Sequence, residues 1–175
     1  MEYIISQIIG ALVCIVAVAS LQMKNIKNAM LCQVICNGLG TASYLLLDGG
    51  LSGCGIYLVA TLQSIVFFIF RKCEKKEPVW IYPIIFAAYI GCSLLTFKQP
   101  LDIVPMIAAL LCALALIQKK PFLYRLILLL NGIVWIIYDV FLPEIALSML
   151  VTHAIVSISA LVGIIRLDLI KKKTE

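Results

Sequence analysis

Two stretches of this chain put amide, ring and hydroxyl side chains where only hydrocarbon is expected. Asn131-Gly132-Ile133-Val134-Trp135-Ile136-Ile137-Tyr138-Asp139 lies inside a long apolar run, and Asn37-Gly38-Leu39-Gly40-Thr41-Ala42-Ser43-Tyr44 precedes it at an offset of 94 residues. On a helix, Asn131, Trp135 and Tyr138 stand at i, i+4 and i+7 and share a face; Gln33, Asn37, Thr41, Tyr44 and Asp48 repeat the stripe. A carboxamide both donates and accepts. Two asparagines facing each other across an apolar interior therefore suit a polar solute, and suit interhelical hydrogen bonding equally well.

Other groups widen the chemical repertoire. His153 is the single histidine, and imidazole titrates near neutrality; proton coupling, solute contact and a hydrogen-bonded packing role are all open to it. Gln33 and Gln63 fall near the middle of their apolar runs and must find partners, because an unmet amide in hydrocarbon is costly. Trp135 and Tyr138 have the faces to stack on a planar or sugar-like ring, and Tyr138 also suits an interfacial anchor. Asp48 and Asp139 stand near run ends, where solvated turn positions are expected and a cation gate is the alternative. No HExxH, phosphate-binding glycine loop or Ser-x-x-x-Lys pairing occurs, so no enzyme is expected. The seven cysteines, at 14, 32, 36, 54, 73, 92 and 112, form no CxxC and no Cys/His group. They read as reduced apolar fillers, with no metal and no cofactor.

The elements that must carry these residues are membrane helices. The chain of 175 residues is 63% hydrophobic and 13% charged, with a mean hydropathy of +1.11; a soluble domain carries about 25% charge. Apolar runs are expected as seven spans at about 3–21, 29–47, 51–70, 79–97, 101–117, 122–142 and 145–165. The first lacks a basic leader and a cleavage site, and reads as a retained span. All of the 14 Lys and Arg except Lys98 fall in or beside the connections after spans one, three, five and seven. Glu2, Asp48, Asp102, Asp139 and Glu144 fall toward the other side. That bias predicts an outside N-terminus and a cytoplasmic C-terminus, and it accounts for the net charge of +5 without nucleic acid. The offset of 94 maps spans one to three onto five to seven, leaving span four as a connector and the repeats parallel.

Three helices, a linker helix and three helices resemble the layout of SWEET sugar transporters and the wider PQ-loop superfamily. Trp135-Ile136-Ile137-Tyr138 looks like the Trp-x-x-Tyr that ends the second helix of such a bundle, and Pro105 stands about where the Pro of the Pro-Gln pair falls, followed here by Met106. The first half has Thr41 in place of the Trp and Ala11 in place of the proline. The chain as a whole, especially Leu21–Arg71, resembles the small bacterial inner-membrane proteins of the YgjV family, a distant PQ-loop relative. In SWEET-type bundles a Trp on the second helix and an Asn on the third pack against the solute. Trp135 matches the first, while Thr152 and His153 stand near the second; Thr61 and Gln63 are the polar residues of the corresponding first-half stretch.

The expected architecture is thus an all-α, seven-span protein with a first three-helix bundle over 1–72, a basic loop and linker helix over 73–99, a second bundle over 100–168 and a basic tail over 169–175. A solute site between the bundles would be lined by Gln33, Asn37, Thr41, Gln63, Asn131, Trp135, Thr152 and His153. A mostly neutral lining favours an uncharged or zwitterionic solute, moved by alternating access without ATP. The expected partners are that solute, the lipid bilayer of the bacterial inner membrane and, in a homodimer, a second copy of the chain. The rivals are a non-transporting scaffold or receptor, in which the two stripes close on each other, and a pore-like channel.

Overall fold

The computed structural model describes residues 1–22, 26–74, 78–117 and 121–165. They form seven α-helices and no strand: α1 (Glu2–Gln22), α2 (Ile26–Leu45), α3 (Leu51–Lys72), α4 (Ile81–Thr96), α5 (Ile103–Ile117), α6 (Pro121–Phe141) and α7 (Leu147–Gly163). Each falls within a few residues of an apolar run. Lys24, Lys75, Lys76, Lys119, Lys120, Arg166, Lys171, Lys172 and Lys173, on which the charge bias largely rests, lie outside the described residues.

The connections at one end of the bundle are built by local chemistry. Between α2 and α3, Gly49 adopts φ 72, a left-handed conformation that a Cβ would strain. Before α5, the Asp102 carboxylate accepts from the backbone N–H groups of Lys98 and Gln99 at 2.7 and 2.9 Å, and Pro100 opens a 3-10 turn (Pro100–Asp102). Asp102 is therefore buried, as the cap of a turn. Tyr3 and Gln7 of α1 donate to the Ile145 carbonyl before α7, and Gln7 accepts from Ser148 N–H at 2.9 Å. These contacts gather the start of α1, the α2–α3 turn and the α6–α7 turn at one face, called here the N-terminal face.

Helix neighbours close a ring. α2 packs against both α1 and α3, α6 against both α5 and α7, α7 returns to α1, and α3 meets α5 directly and through α4, which packs on both. Around that ring α2 lies opposite α6, and α3 opposite α7. The small residues Ala108, Ala109 and Ala113 on α5 are almost fully buried, which lets the backbones approach. Glycines do the same elsewhere: a Cβ on Gly10 of α1 would meet the Ser148 hydroxyl of α7, and one on Gly40 of α2 would meet the Tyr57 ring of α3.

Polarity is distributed inside out. Ile4, Ile8, Leu12 and Ile15 on α1, Leu58, Leu62 and Ile69 on α3, and Ile84, Ile90 and Leu94 on α4 project outward, while Ser6, Asn37, Ser43, Gln63, Asp139 and His153 are buried. Water does not tolerate so continuous an apolar surface, and lipid requires it. By length and hydropathy alone, Glu2–Ala19 and Leu51–Phe70 suffice to cross a bilayer; Ile81–Thr96 and Leu147–Gly163 are shorter apolar helices.

Candidate functional site

Seven side chains from the four helices that face one another fill the middle of the ring near its N-terminal face. Tyr44 comes from the last turn of α2, and Trp135, Tyr138 and Asp139 from the last two turns of α6. Cys54 and Tyr57 come from the first two turns of α3, and His153 from the second turn of α7. Tyr57 and His153 each stand six residues into their helices, about 9 Å below the helix start.

Asp139 is at the centre and fully buried. Its Oδ1 accepts a short hydrogen bond from the Tyr44 hydroxyl, and its Oδ2 pairs with His153 Nδ1 at 2.7 Å. On the far side of the imidazole, Nε2 meets the Tyr57 hydroxyl at 2.9 Å. An unbroken chain Tyr44–Asp139–His153–Tyr57 thus runs from α2 to α6 to α7 to α3, crossing the ring twice. With the carboxylate ionised and the imidazole neutral, every group is satisfied: Tyr44 and Nδ1–H donate to the carboxylate, and Tyr57 donates to Nε2.

Aromatic packing encloses this chain. The Trp135 indole stacks on His153 with centroids 5.3 Å apart and planes 16° from parallel, and it lies 5.1 Å from Tyr57 and 5.7 Å from Tyr44. Tyr44 and Tyr138, the pair at the 94-residue offset, approach to 5.8 Å. The Tyr138 hydroxyl accepts from Gly53 N–H at 3.1 Å, one of the otherwise unpaired donors at the start of α3, and donates to Gly49 O at 3.3 Å. Gly53 is required there, because a Cβ would sit about 3 Å from both tyrosine rings. Above, at the rim, Asp48 N–H donates to the Glu144 carboxylate at 3.2 Å, joining the two equivalent turns. An open depression of about 640 Å³ at this face is bordered by Met1, Glu2, Leu46, Asp48 and Glu144.

One to two turns deeper lie the two asparagines. Asn37 donates to Ser64 Oγ at 2.8 Å and Ala60 O at 3.2 Å on α3, and accepts from Gln33 at 3.2 Å. Asn131 donates to Ala108 O of α5 at 2.5 Å. Each amide is spent within its own triad, on a different neighbour in each.

The expected site residues therefore divide. Trp135 and His153 come together at the centre. Gln33 is exposed and reaches only Asn37; Gln63 turns outward to α4, where its Oε1 accepts from Tyr89 at 2.5 Å. Thr41 and Thr152 return their hydroxyls to Asn37 O and Ser148 O of their own helices, both at 2.9 Å. Thr61 bonds back to Tyr57 O in the same way. Asp48 is exposed as a turn residue should be, but Asp139 is not: the expectation of solvation for it is overturned by its burial against Tyr44 and His153. Tyr138 is likewise enclosed rather than anchored at a lipid interface. Tyr57 is the member of the site that spacing did not single out, and Asp139 is the one it read as a turn residue. Tyr57 has Val151 at the repeat offset and His153 has Val59, so neither carried a duplicate signal.

A family model described as bacterial inner membrane protein, Imp-YgjV, matches residues 4–171. The chain belongs to that family. It is an integral inner-membrane protein, which agrees with the apolar exterior of the ring. Comparison with curated proteins and with solved structures gave no match. In this YgjV-family protein Tyr44, Tyr57, Asp139 and His153 are titratable groups bonded to one another across the ring, and no cluster of three His, Cys, Asp or Glu suited to a metal occurs among the described residues.

Proposed function

We propose that the protein moves a small neutral or zwitterionic polar solute across the inner membrane by alternating access, rocking α1–α3 against α5–α7. The form described above is the one closed at the N-terminal face, which the Lys and Arg bias places outside. The observation that supports this best is the pair of cross-ring links, Tyr44–Asp139 and Tyr57–His153. Leucines would plug the same space at lower cost, whereas ionisable groups in a membrane interior are expensive and belong to function by default. The interhelical hydrogen bonds named above that join the two triads all lie at this end. Separation there breaks a defined set of bonds and leaves the apolar packing at the other end as a fulcrum.

Two further features fit. The order of neighbours in α1–α2–α3 is repeated in α5–α6–α7, with α4 outside, as a duplicated SWEET-like 3+1+3 unit requires. Ser157, one helical turn below His153, is buried with its hydroxyl unpartnered against Gly132. An unmet hydroxyl is costly, and helix separation would hand it to a solute at the level of Asn131.

A non-transporting scaffold or receptor is the second reading, favoured by the amides of Asn37 and Asn131 being spent inside their own triads. Uptake by proteoliposomes from a panel of neutral and zwitterionic metabolites separates the two. Transport predicts saturable uptake that falls about ten-fold or more, or about 1.4 kcal/mol, in the Asn37→Ala/Asn131→Ala double variant. No uptake of any member points to the scaffold.

A further inference from the structure

We infer that the Asp139–His153 pair is the binding site for a transported proton, and that this proton unlocks the N-terminal gate. The inference rests on the transport reading above and adds its coupling ion. Its basis is the direction of the hydrogen bonds. With the carboxylate ionised and the imidazole neutral, the arrangement that satisfies every group, Tyr57 donates to His153 Nε2 and Tyr44 donates to Asp139. Adding one proton to the pair disturbs both links at once. If the imidazole takes it, both ring nitrogens become donors, and Tyr57 must turn from donor to acceptor. If the carboxylate takes it and donates to Nδ1, the remaining imidazole proton moves to Nε2 and the Tyr57 bond reverses in the same way. In either case the bond from Tyr44 loses its charge-assisted partner, or shares that partner with a cation. The links that cross the ring, α2 to α6 and α3 to α7, thus answer to a single proton.

The surroundings suit this role. The groups facing the pair are Tyr44 from α2, Tyr57 from α3 and Tyr138 from α6; the thiols of Cys36, Cys54 and Cys112, and the Asp102 carboxylate that caps the turn before α5, are the other titratable groups near these phenols. None of these supplies a fixed positive charge, so the proton itself is the compensating cation. The proton enters from the depression bordered by Glu2, Asp48 and Glu144 at the same face. Its loss to the opposite side empties the pair and lets the gate re-form.

Trp135 provides the readout, because its indole stacks on His153 and is almost fully enclosed by the gate. In a Trp80→Phe background of the full chain in nanodiscs, Trp135 is the single tryptophan left. Its quenching by acrylamide is measured from about pH 8 to pH 5. Proton-gated opening predicts a several-fold rise in the quenching constant as pH falls, reversible on return. Asp139→Asn is expected to hold the constant at one value throughout the range. Tyr57→Phe, the milder variant, is expected to raise it at high pH while keeping a pH step. A wild-type constant flat across the range overturns the inference, as does an unchanged step in Asp139→Asn. Proteoliposome uptake unaffected by an imposed pH gradient also overturns it, while leaving transport intact. Absent uptake with a preserved Asp139-dependent step removes the transport reading but keeps the proton site.

Discussion

Asp139 shows how one carboxylate shapes this molecule. A carboxylate buried away from solvent is tolerable only while its donors are in place, and here they are Tyr44 and His153. Asp139→Ala removes the acceptor for both, and is expected to cost about 3–5 kcal/mol of unfolding free energy in an SDS titration from mixed micelles. Asp48→Ala, at the exposed end of α2, is expected to stay within about 0.5 kcal/mol of the parent. Sequence spacing assigned both aspartates to run ends and gave them the same environment. The difference arises because α6 carries Asp139 on the Trp135–Tyr138 side and places it opposite α7, where a histidine 14 residues later can reach it. That is a tertiary fact about the turn at Pro143, with no echo in the first half, where Leu45 occupies the equivalent position and is exposed.

At the scale of the element, the two Asn-Gly copies are alike in sequence and unlike in packing. Gly132 lies against α7, where a Cβ would fall 2.0 Å from Ser157 Oγ, whereas Gly38 has nothing within 4 Å. Gly132→Ala is therefore expected to destabilise by about 1–3 kcal/mol, with much of the loss recovered by adding Ser157→Ala. Gly38→Ala is expected to be neutral or to stabilise by about 0.5–1 kcal/mol through helix propensity alone. Thermal unfolding of the single and double variants in detergent checks both. The helices themselves were legible, since continuous apolar runs bounded by Gly, Pro and charge leave little freedom. The partners of the amides were not: an asparagine on a helix face has two neighbours to choose from, and Asn37 takes α3 while Asn131 takes α5.

For the whole molecule, the 94-residue offset explains what was readable, and the positions it does not repeat explain what was not. The Tyr44–Tyr138 pair stands at the 94-residue offset and meets at the centre of the ring. Around it the halves differ: Asp139 and His153 come from the second half, and the first has Leu45 and Val59 at the equivalent positions. The ionisable core of the site thus comes from one side only, and the first half meets it with hydroxyls, Tyr44 and Tyr57. Such a joint gives the two sets of three helices a polar seam at one face, the property that the proposed rocking needs.

The most direct measurement is a double-mutant cycle across that seam, pairing Tyr44→Phe with Asp139→Ala and reading unfolding free energy in mixed micelles. If opposite helices are joined through the ring as described, the coupling is about 1–3 kcal/mol, above the ~0.6 kcal/mol typical of hydrogen bonds between membrane helices. Additive losses, with coupling within about 0.3 kcal/mol of zero, would show that the two triads are not held together by this bond and would contradict the account.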